Sequence, residues 1–523
     1  MLRNILGTAA ALALTAGAAQ AEYALTILHT NDFHARFEQI SKYDSGCSAE
    51  DAAAGACFGG VARLVTAIAE ARARSNNSIL VDGGDQFQGT LFYTQYLGAA
   101  SAEFMTVMGY EAMAVGNHEF DNGPEALRAF ADAVDFPLLM ANADVSTEPL
   151  LAGEVLKSVV IEKNGEKLGL IGLTPQNNAE LASPGPRINF TDPVGAVQQE
   201  VDTLTAEGIT KIILLSHSGY DNDLRIAAET TGVDVIIGGH SHTLLSNVAK
   251  GAAGPYPTMV GSTAIVQAYA YGKYLGELNV VFDDAGALVS ASGEPVLLDA
   301  SVAEDAAAVA RVVELAGPLE EVRNRVVAEA ATEIDGSRDS CRAKECAMGT
   351  LIADAMLARV ADQGVTIAIQ NGGGVRASID AGPVTMGEVL TVLPFQNTLS
   401  TFEVTGAVVL AALENGVSEV AEGAGRFPQV AGLKFTFDAA APVGARVSEV
   451  MVAEGGSFVA IDPAKTYRLV SNNFVRNGGD GYRMFRDAAN AYDFGPDLAD
   501  VVAEYLAANG PYTAYSDGRI TAK

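Results

Sequence analysis

Five short β-branched runs in this chain each lead directly into a polar motif that contains Asp, Asn or His. The runs cover residues 24–28, 78–81, 112–115, 210–215 and 233–237. Amphipathic helical stretches separate the runs, and this alternation predicts an α/β layered domain over residues 22–300. Ligands of α/β sheets bind beyond the carboxyl ends of the strands. We therefore expect the five polar motifs to meet at one site.

Histidine is rare in this chain, and five of its six histidines stand at these motifs. Any one of them could be a satisfied core or surface residue, but that explanation fails for the five together. The predicted metal ligands are Asp32, His34, Asp85, Asn117, His217, His240 and His242. Oxygen ligands mixed with imidazole suit zinc, the first expectation, or manganese, cobalt or iron. Two such ions can clamp an in-line phosphoryl displacement, so the sequence predicts a two-metal phosphoesterase.

Two of these motifs carry further geometric expectations. If the extended backbone continues past the first strand, Asp32 and His34 at positions i and i+2 face the same way. Asp85 follows two glycines, whose missing side chains let a carboxylate approach and bridge two cations. His29 lies earlier, within the strand end, and is expected to have a structural or supporting role rather than to bind metal.

His118 adjoins Asn117 and could either bind a metal or act as an acid. Asp121 follows three residues later, and a carboxylate near an imidazole fixes its tautomer and raises its pKa. Such a pair suits the protonation or stabilisation of a phosphate transition state, so we assign His118 and Asp121 as catalytic. The alternative is that Asp121 only caps the following helix.

The first 21 residues predict export. Arg3, an Ala/Leu-rich run and the small-residue site Ala19-Gln20-Ala21 form the pattern of a cleavable secretory signal. No later stretch is long and apolar enough for a bilayer span, and the C-terminus has no hydrophobic anchor tail, so no membrane anchor is expected. Export permits disulfides, and the four cysteines form two close pairs. The expected bonds are Cys47 with Cys57 and Cys341 with Cys346.

A net charge of −31 excludes nucleic acid and anionic membranes as expected partners, because both require basic surface. It does not exclude a small phosphate ester, which local metals or arginines can hold. Residues 301–327 predict a helical connector, interrupted at Gly317-Pro318. Residues 328–523 predict a second, smaller α/β domain, with strands at 366–369 and 467–470.

Four blocks of this chain resemble those of the 5′-nucleotidase family of metallophosphoesterases. In the first domain, residues 28–34 (LHTNDFH) and 116–121 (GNHEFD) are similar to its signature blocks. In the second, residues 371–376 (NGGGVR) and 477–481 (NGGDG) are similar to blocks of its nucleotide-binding domain. The resemblance covers essentially all of the mature chain. It implies a four-layer α/β/β/α metallophosphoesterase domain, followed by an α/β substrate-binding domain.

The resemblance also implies how the ligands are divided, with Asp85 bridging two metals. The implied ligands of one ion are Asp32, His34, Asp85 and His242. Those of the other are Asp85, Asn117, His217 and His240. His118 and Asp121 are implied to form the catalytic dyad.

Six residues of the second domain are implied to bind a nucleotide. Phe395 and Phe474 would sandwich the base, and Asp480 would contact the ribose hydroxyls. The implied contacts to other polar groups of the substrate are Arg342, Asn371 and Arg376. Aromatic faces do suit a base and arginine forks do suit phosphate, yet from residue type alone Phe395 could equally be core.

The two cysteine pairs resemble disulfide loops of surface-anchored animal members, in which the second loop would hold Arg342 in place. Because this chain lacks their anchor signal, the resemblance implies a periplasmic or secreted bacterial member. Members of this build are thought to rotate the second domain, and Gly317-Pro318 is the expected hinge.

The expected activity is hydrolysis of nucleoside 5′-monophosphates to nucleoside and phosphate. Alternatives on the same metal centre are a UDP-sugar hydrolase, a 2′,3′-cyclic nucleotide phosphodiesterase with 3′-nucleotidase activity, and a sulfur-ester hydrolase. A different class would be a nucleotide-binding protein with structural metals. Structural sites have closed protein shells, whereas His118 and Asp121 beside the predicted ligands leave room for substrate. Oligomeric state is left open.

Overall fold

The first domain consists of two β-sheets packed face to face, with helices on both outer faces. The structure is a computed structural model that describes residues 22–523, except 43, 45, 48, 396, 493 and 494. The predicted signal at 1–21 lies outside the described residues.

The elements of this domain follow in chain order. Its strands are β1 (Tyr23–Thr30), β2 (Ser78–Asp82), β3 (Ala112–Ala114), β4 (Leu138–Leu139), β5 (Ala143–Asp144), β6 (Val155–Leu156), β7 (Ser158–Lys163), β8 (Glu166–Leu173), β9 (Asn189–Phe190), β10 (Ile212–Ser216), β11 (Val235–Ile237), β12 (Thr258–Val260), β13 (Thr263–Val266), β14 (Tyr274–Phe282) and β15 (Leu288–Leu297). Its helices are α1 (Ala49–Ala53), α2 (Val61–Arg74), α3 (Leu91–Tyr96), α4 (Ala99–Met108), α5 (Gly123–Ala133), α6 (Asn178–Leu181), α7 (Pro193–Ala206) and α8 (Tyr220–Glu229).

One sheet has the strand order β15-β14-β1-β2-β3-β4-β6, and the other has the order β12-β13-β11-β10-β8-β7. Strands β1, β2, β3 and β4 run parallel in the first sheet, as do β8, β10, β11 and β13 in the second. The five runs singled out in the sequence are β1, β2, β3, β10 and β11. Their carboxyl ends therefore lie at one edge of each sheet.

Successive side chains along each strand point to opposite faces of its sheet, and this alternation explains how the layers pack. In β1, Leu25 and Ile27 are buried between the sheets, whereas Leu28 packs on the core under α2, α4 and α5. In β10, Ile213 and Leu215 face the other sheet, whereas Leu214 packs under α7 and α8. Strands buried on both faces are apolar throughout, which is why these runs stood out. The α/β/β/α prediction is confirmed.

The connector packs on the first domain. Its helices are α9 (Ala306–Ala316) and α10 (Glu320–Arg323), separated by a 3₁₀ turn at Gly317–Leu319. Val312 and Leu315 of α9 are buried in the core that contains α2.

The second domain begins with a strand at Val326, two residues before the predicted boundary. Its strands are β16 (Val326–Ala330), β17 (Ile367–Asn371), β18 (Gly382–Thr385), β19 (Leu399–Thr405), β20 (Pro428–Ala431), β21 (Leu433–Phe437), β22 (Val447–Glu454), β23 (Ser457–Ala460), β24 (Thr466–Asn472), β25 (Ala489–Tyr492) and β26 (Ile520–Ala522). Its helices are α11 (Arg338–Cys341), α12 (Ala347–Arg359), α13 (Met386–Val392), α14 (Gly406–Gly416), α15 (Asn473–Arg476) and α16 (Leu498–Ala508). The central sheet has the order β20-β17-β24-β19-β25.

Both predicted disulfides are confirmed, since Cys47 is bonded to Cys57 and Cys341 to Cys346. Within the described part of the chain, every helix is too short or too polar to cross a bilayer.

Candidate active site

The predicted metal ligands come together where the five strands end. Asp32 and His34 follow β1, Asp85 follows β2, Asn117 follows β3, His217 follows β10, and His240 and His242 follow β11. Six of these residues, all but Asn117, form overlapping groups together with His118, and within each group the ligand atoms lie within 4.8 Å of one another. These groups are Asp32 with His34 and His242, His34 with Asp85 and His118, and Asp85 with His217 and His240.

Asp85 occupies the centre of these groups. Its Oδ2 lies 2.9 Å from His217 Nε2, 3.9 Å from His34 Nε2 and 3.9 Å from His118 Nε2. Burial would raise the pKa of this carboxyl, but His217 and His118 outweigh burial and hold the pKa well below its usual value. An ionised carboxylate at this position fits the bridging role predicted for it.

Backbone carbonyls fix the tautomers of two imidazoles. His34 Nδ1 donates to the Phe87 carbonyl at 3.0 Å, and His217 Nδ1 donates to the Gly83 carbonyl at 2.7 Å. Because a carbonyl only accepts, each Nδ1 carries a proton, and Nε2 is the ring nitrogen left to face a cation. His34 Nε2 faces His242 Nε2 at 3.3 Å. This is the arrangement expected of imidazoles that bind metal through Nε2.

Two buried polar atoms test whether cations fit here. Asn117 Oδ1 has no hydrogen-bond partner among the described residues, and His217 Nε2 has none besides its 2.9 Å approach to Asp85 Oδ2. Buried polar groups normally have partners, so both atoms fit as metal ligands. Burial lowers the pKa of His240 to about 3, which keeps it in the neutral, metal-binding form. Burial disfavours the charged form of the His217 ring. The carboxyl groups of Asp85 and Asp32 outweigh this effect and raise the pKa of His217 to about 10, so they favour a positive charge beside them.

The backbone reaches this arrangement differently from the prediction. Asp32 and His34 have φ values of 51° and 52°, so the backbone does not stay extended after β1, which was the condition for the i and i+2 argument. Left-handed φ values also occur in Asp85, His240 and His242. Such a conformation costs a non-glycine residue about 1–2 kcal/mol. The tight bends after the strands turn side chains of separate loops toward one point.

Gly84 shows how closely these loops approach. Its φ is +98°, and a Cβ atom added to it would lie 2.7 Å from His217 Nδ1. Only glycine combines this backbone conformation with the space required by the imidazole.

His118 and Asp121 form a direct pair, with His118 Nδ1 2.7 Å from Asp121 Oδ2. Burial alone would lower the pKa of His118, but Asp121 and Asp85 outweigh it, and the pKa lies above its usual value. The residue at the N-cap of α5 is Asn122, so Asp121 does not cap this helix. His29 belongs to none of the metal groups found among the described residues, and its Nε2 contacts the Tyr256 hydroxyl at 2.8 Å.

Glu119 supports the site and was not singled out in the sequence. Its Oε1 accepts from the backbone N–H groups of Gln86 and Phe87, and its Oε2 from those of Asp85 and Gly116. One carboxylate thus ties the loop of Asp85 to the loop of Asn117. The sequence shows that the Gly116–Asp121 block contains an acidic residue. It does not show the role of this residue, because hydrogen bonds from backbone N–H groups require no particular residue types at a fixed spacing.

A cavity of about 1140 Å³ joins the metal groups to the second domain. From the first domain it is lined by Asp85, Asn117, His118, Asp121, His240 and His242. All six predicted substrate residues line it from the second domain, namely Arg342, Asn371, Arg376, Phe395, Phe474 and Asp480.

Residues of the two domains touch inside this cavity. Arg376 Nη2 lies 3.4 Å from His34 Nε2, and the ring of Phe395 stacks on that of His118 with centroids 5.5 Å apart. Asn371 Nδ2 donates to Asp480 Oδ2 at 2.6 Å. Phe395 therefore lies beside the His118–Asp121 pair.

Arg338 lines this cavity beside Arg342 and Arg376 and was not singled out in the sequence; Arg426 and Arg486 line it too. Burial, together with repulsion from Arg338 and Arg376, lowers the pKa of Arg342 well below its usual value. An anion bound among the three guanidinium groups would offset that repulsion. The signal in the sequence was the spacing of Arg338 and Arg342, four residues apart, as on one helical turn.

Family models match both halves of the chain. Residues 25–244 match calcineurin-like phosphoesterases, and residues 326–487 match the C-terminal domain of 5′-nucleotidases. The first match agrees with the paired sheets and the metal groups, and defines the chain as a hydrolase of the metallophosphoesterase superfamily.

Relatives define the family more narrowly. The chain is 40% identical to the 5′-nucleotidase of Diplobatis ommata, over 93% of this chain and 88% of the relative. It is 38% identical to the human 5′-nucleotidase, over 95% of this chain and 90% of the relative. The structure of a 5′-nucleotidase precursor from Thermus thermophilus matches with a TM-score of 0.91 and 42% identity, covering 96% of this chain and 99% of that one. The chain belongs to the 5′-nucleotidase family.

Proposed function

We propose that this protein hydrolyses nucleoside 5′-monophosphates to nucleoside and orthophosphate. The observation that carries the proposal is the single cavity, in which ligand groups for two cations face arginine, aromatic and acidic side chains of the second domain. Relatives named 5′-nucleotidases support this choice of substrate. The signal pattern of residues 1–21 supports a periplasmic or secreted location.

Two divalent ions, with zinc as the proposed metal, would be shared through Asp85. The proposed ligands of one are Asp32, His34, Asp85 and His242. The proposed ligands of the other are Asp85, Asn117, His217 and His240. When bound, such ions supply Lewis acidity toward phosphoryl oxygens and lower the pKa of the attacking water.

His118 acts on the phosphate through Nε2. Its Nδ1 is committed to Asp121, so a protonated ring can donate only from Nε2 to the phosphoryl oxygen on which charge develops. Arg342 and Arg376 hold the other phosphoryl oxygens, where guanidinium forks bind two acceptors at once. These donors are in place before the reaction, so little reorganisation is needed as charge develops.

The second domain selects the nucleoside. Asp480 accepts from the ribose hydroxyls, and Asn371 keeps the Asp480 carboxylate oriented through the 2.6 Å hydrogen bond. Phe474 provides one apolar face for the base. Phe395 would provide the other through the face that does not contact His118.

Phosphate release from AMP by the parent and by His118→Ala tests this proposal. The variant is expected to lose about 10²–10⁴-fold in kcat, the usual contribution of a positioned acid or base. Its metal content should equal that of the parent, which shows that the site has not collapsed. UDP-glucose and 2′,3′-cyclic AMP serve as competing substrates. Faster turnover of either one than of AMP, or an unchanged kcat in the variant, would overturn the proposal.

A further inference from the structure

Gln88 touches the catalytic pair from the loop that also carries Asp85. Its Nε2 donates to Asp121 Oδ2 at 3.0 Å, and this is the same oxygen that accepts from His118 Nδ1 at 2.7 Å. The Gln88 side chain lines the cavity, although the residue is only 4% exposed. Asp121 Oδ2 therefore accepts two hydrogen bonds, one from Gln88 and one from His118.

The backbone holds Gln88 in an unusual conformation. Its φ is +67°, in the left-handed region that a glutamine seldom adopts. The preceding carbonyl, that of Phe87, accepts from His34 Nδ1. A single turn thus carries the central carboxylate Asp85, the acceptor that orients His34, and the amide that reaches Asp121. Strained backbone of this kind persists where the surrounding structure enforces it, often at functional sites.

We propose that Gln88 is a positioning residue for the His118–Asp121 pair. This inference rests on the proposed function, since it assigns Gln88 a role only in the reaction that His118 assists. The amide fixes the rotation of the Asp121 carboxylate, and the carboxylate in turn fixes the plane and tautomer of the His118 ring. Without the amide, Asp121 can rotate about its own side-chain bonds, and His118 Nε2 no longer points steadily at the phosphoryl group.

Gln86 is a matched control two residues earlier in the same loop. It is equally buried, at 3% exposure, and its Nε2 also donates to a carboxylate, Asp82 Oδ2, at 2.9 Å. Asp82 belongs to none of the metal groups of the described residues; its Oδ2 also accepts from the Thr30 hydroxyl, and its Oδ1 accepts from the backbone N–H of Gly84. Gln86→Met therefore removes the same kind of buried amide without touching the catalytic pair.

The experiment compares AMP hydrolysis by the parent, Gln88→Met and Gln86→Met, each also in a His118→Ala background. Gln88→Met is expected to lower kcat about 10-fold, the lower range for partners that orient an active-site group, with KM and metal content unchanged. Gln86→Met should keep a kcat near that of the parent. In the His118→Ala background, Gln88→Met should cause no further loss, because the group it positions is gone.

Two results would overturn the inference. The first is that Gln88→Met lowers kcat by the same factor in the parent and in the His118→Ala background, which would assign Gln88 a structural role. The second is that Gln88→Met leaves kcat unchanged in the parent background. If Gln88→Met fails to fold, Gln88→Leu also lacks the donor, adds no charge beside Asp121 and allows the same comparison. An inactive parent would instead refute the proposed function, so the two failures are distinguishable.

Discussion

Asp85 is the residue on which the proposed metal centre most depends. Imidazoles of His34, His118 and His217 surround its Oδ2, and its Oδ1 accepts from the backbone N–H of His118 at 2.8 Å. It belongs to two of the three ligand groups found among the described residues. A single ionised carboxylate thus provides negative charge to both proposed ion sites and also accepts a hydrogen bond from the backbone of His118.

Asp85→Asn keeps the size of this side chain and the acceptor for His118 but removes the charge. We expect the variant to lose metal from both sites and to lose AMP hydrolysis with it, because a neutral amide bridges two cations poorly. Metal content of the purified protein, measured by mass spectrometry alongside kcat, checks this.

Asp82→Asn is the control, three residues earlier. Burial raises the pKa of Asp82 to about 8, so this carboxyl is mostly uncharged at pH 7 and the substitution removes little charge. Asp82→Asn should retain both metals. Full metal occupancy in Asp85→Asn would contradict the role assigned to Asp85.

At the scale of elements, the short loops after the strands carry the site. The strands were predictable because runs such as Ile213 and Leu214 in β10 are buried on both faces and therefore wholly apolar. The convergence of the motifs followed from the parallel arrangement. The left-handed bend at Asp32 and the four backbone bonds of Glu119 were not predictable, because they depend on contacts between loops that are distant in sequence.

The disulfide loop before α12 is the element that contains Arg342. The carbonyl of Cys341 accepts from Gln429 Nε2 at 3.0 Å, and the N–H of Cys346 donates to Gln429 Oε1 at 3.2 Å. Removing the bond with Cys341→Ser and Cys346→Ser together frees this loop in the absence of substrate. Ordering one long side chain on binding costs about 0.5–1.5 kcal/mol, so KM for AMP should rise about 2- to 10-fold.

The other disulfide provides the control for this prediction. The bond between Cys47 and Cys57 lies in the first domain, and no described residue of the loop that it closes lines the cavity. Replacing both with serine should leave KM unchanged. Steady-state kinetics with AMP as substrate give both KM values. Equal KM values for the two double variants would contradict the role proposed for the Cys341–Cys346 bond in ordering Arg342.

At the scale of the whole molecule, residues of both domains line the candidate active site. The chain carries a net charge of −31, yet Arg338, Arg342 and Arg376 meet at one cavity. Arg376 reaches His34 of the other domain at 3.4 Å. An acidic protein can thus hold an anionic substrate because its cationic groups are concentrated where the domains meet.

Reconstitution of AMP hydrolysis with zinc tests the central claim most directly. The full mature chain is stripped with a chelator, zinc is added back in steps, and phosphate release and bound zinc are measured together. We predict negligible release from the stripped protein and a rate that reaches its maximum when two zinc ions are bound per chain. Release that is unchanged by chelation, or absent at every zinc level, would contradict the account.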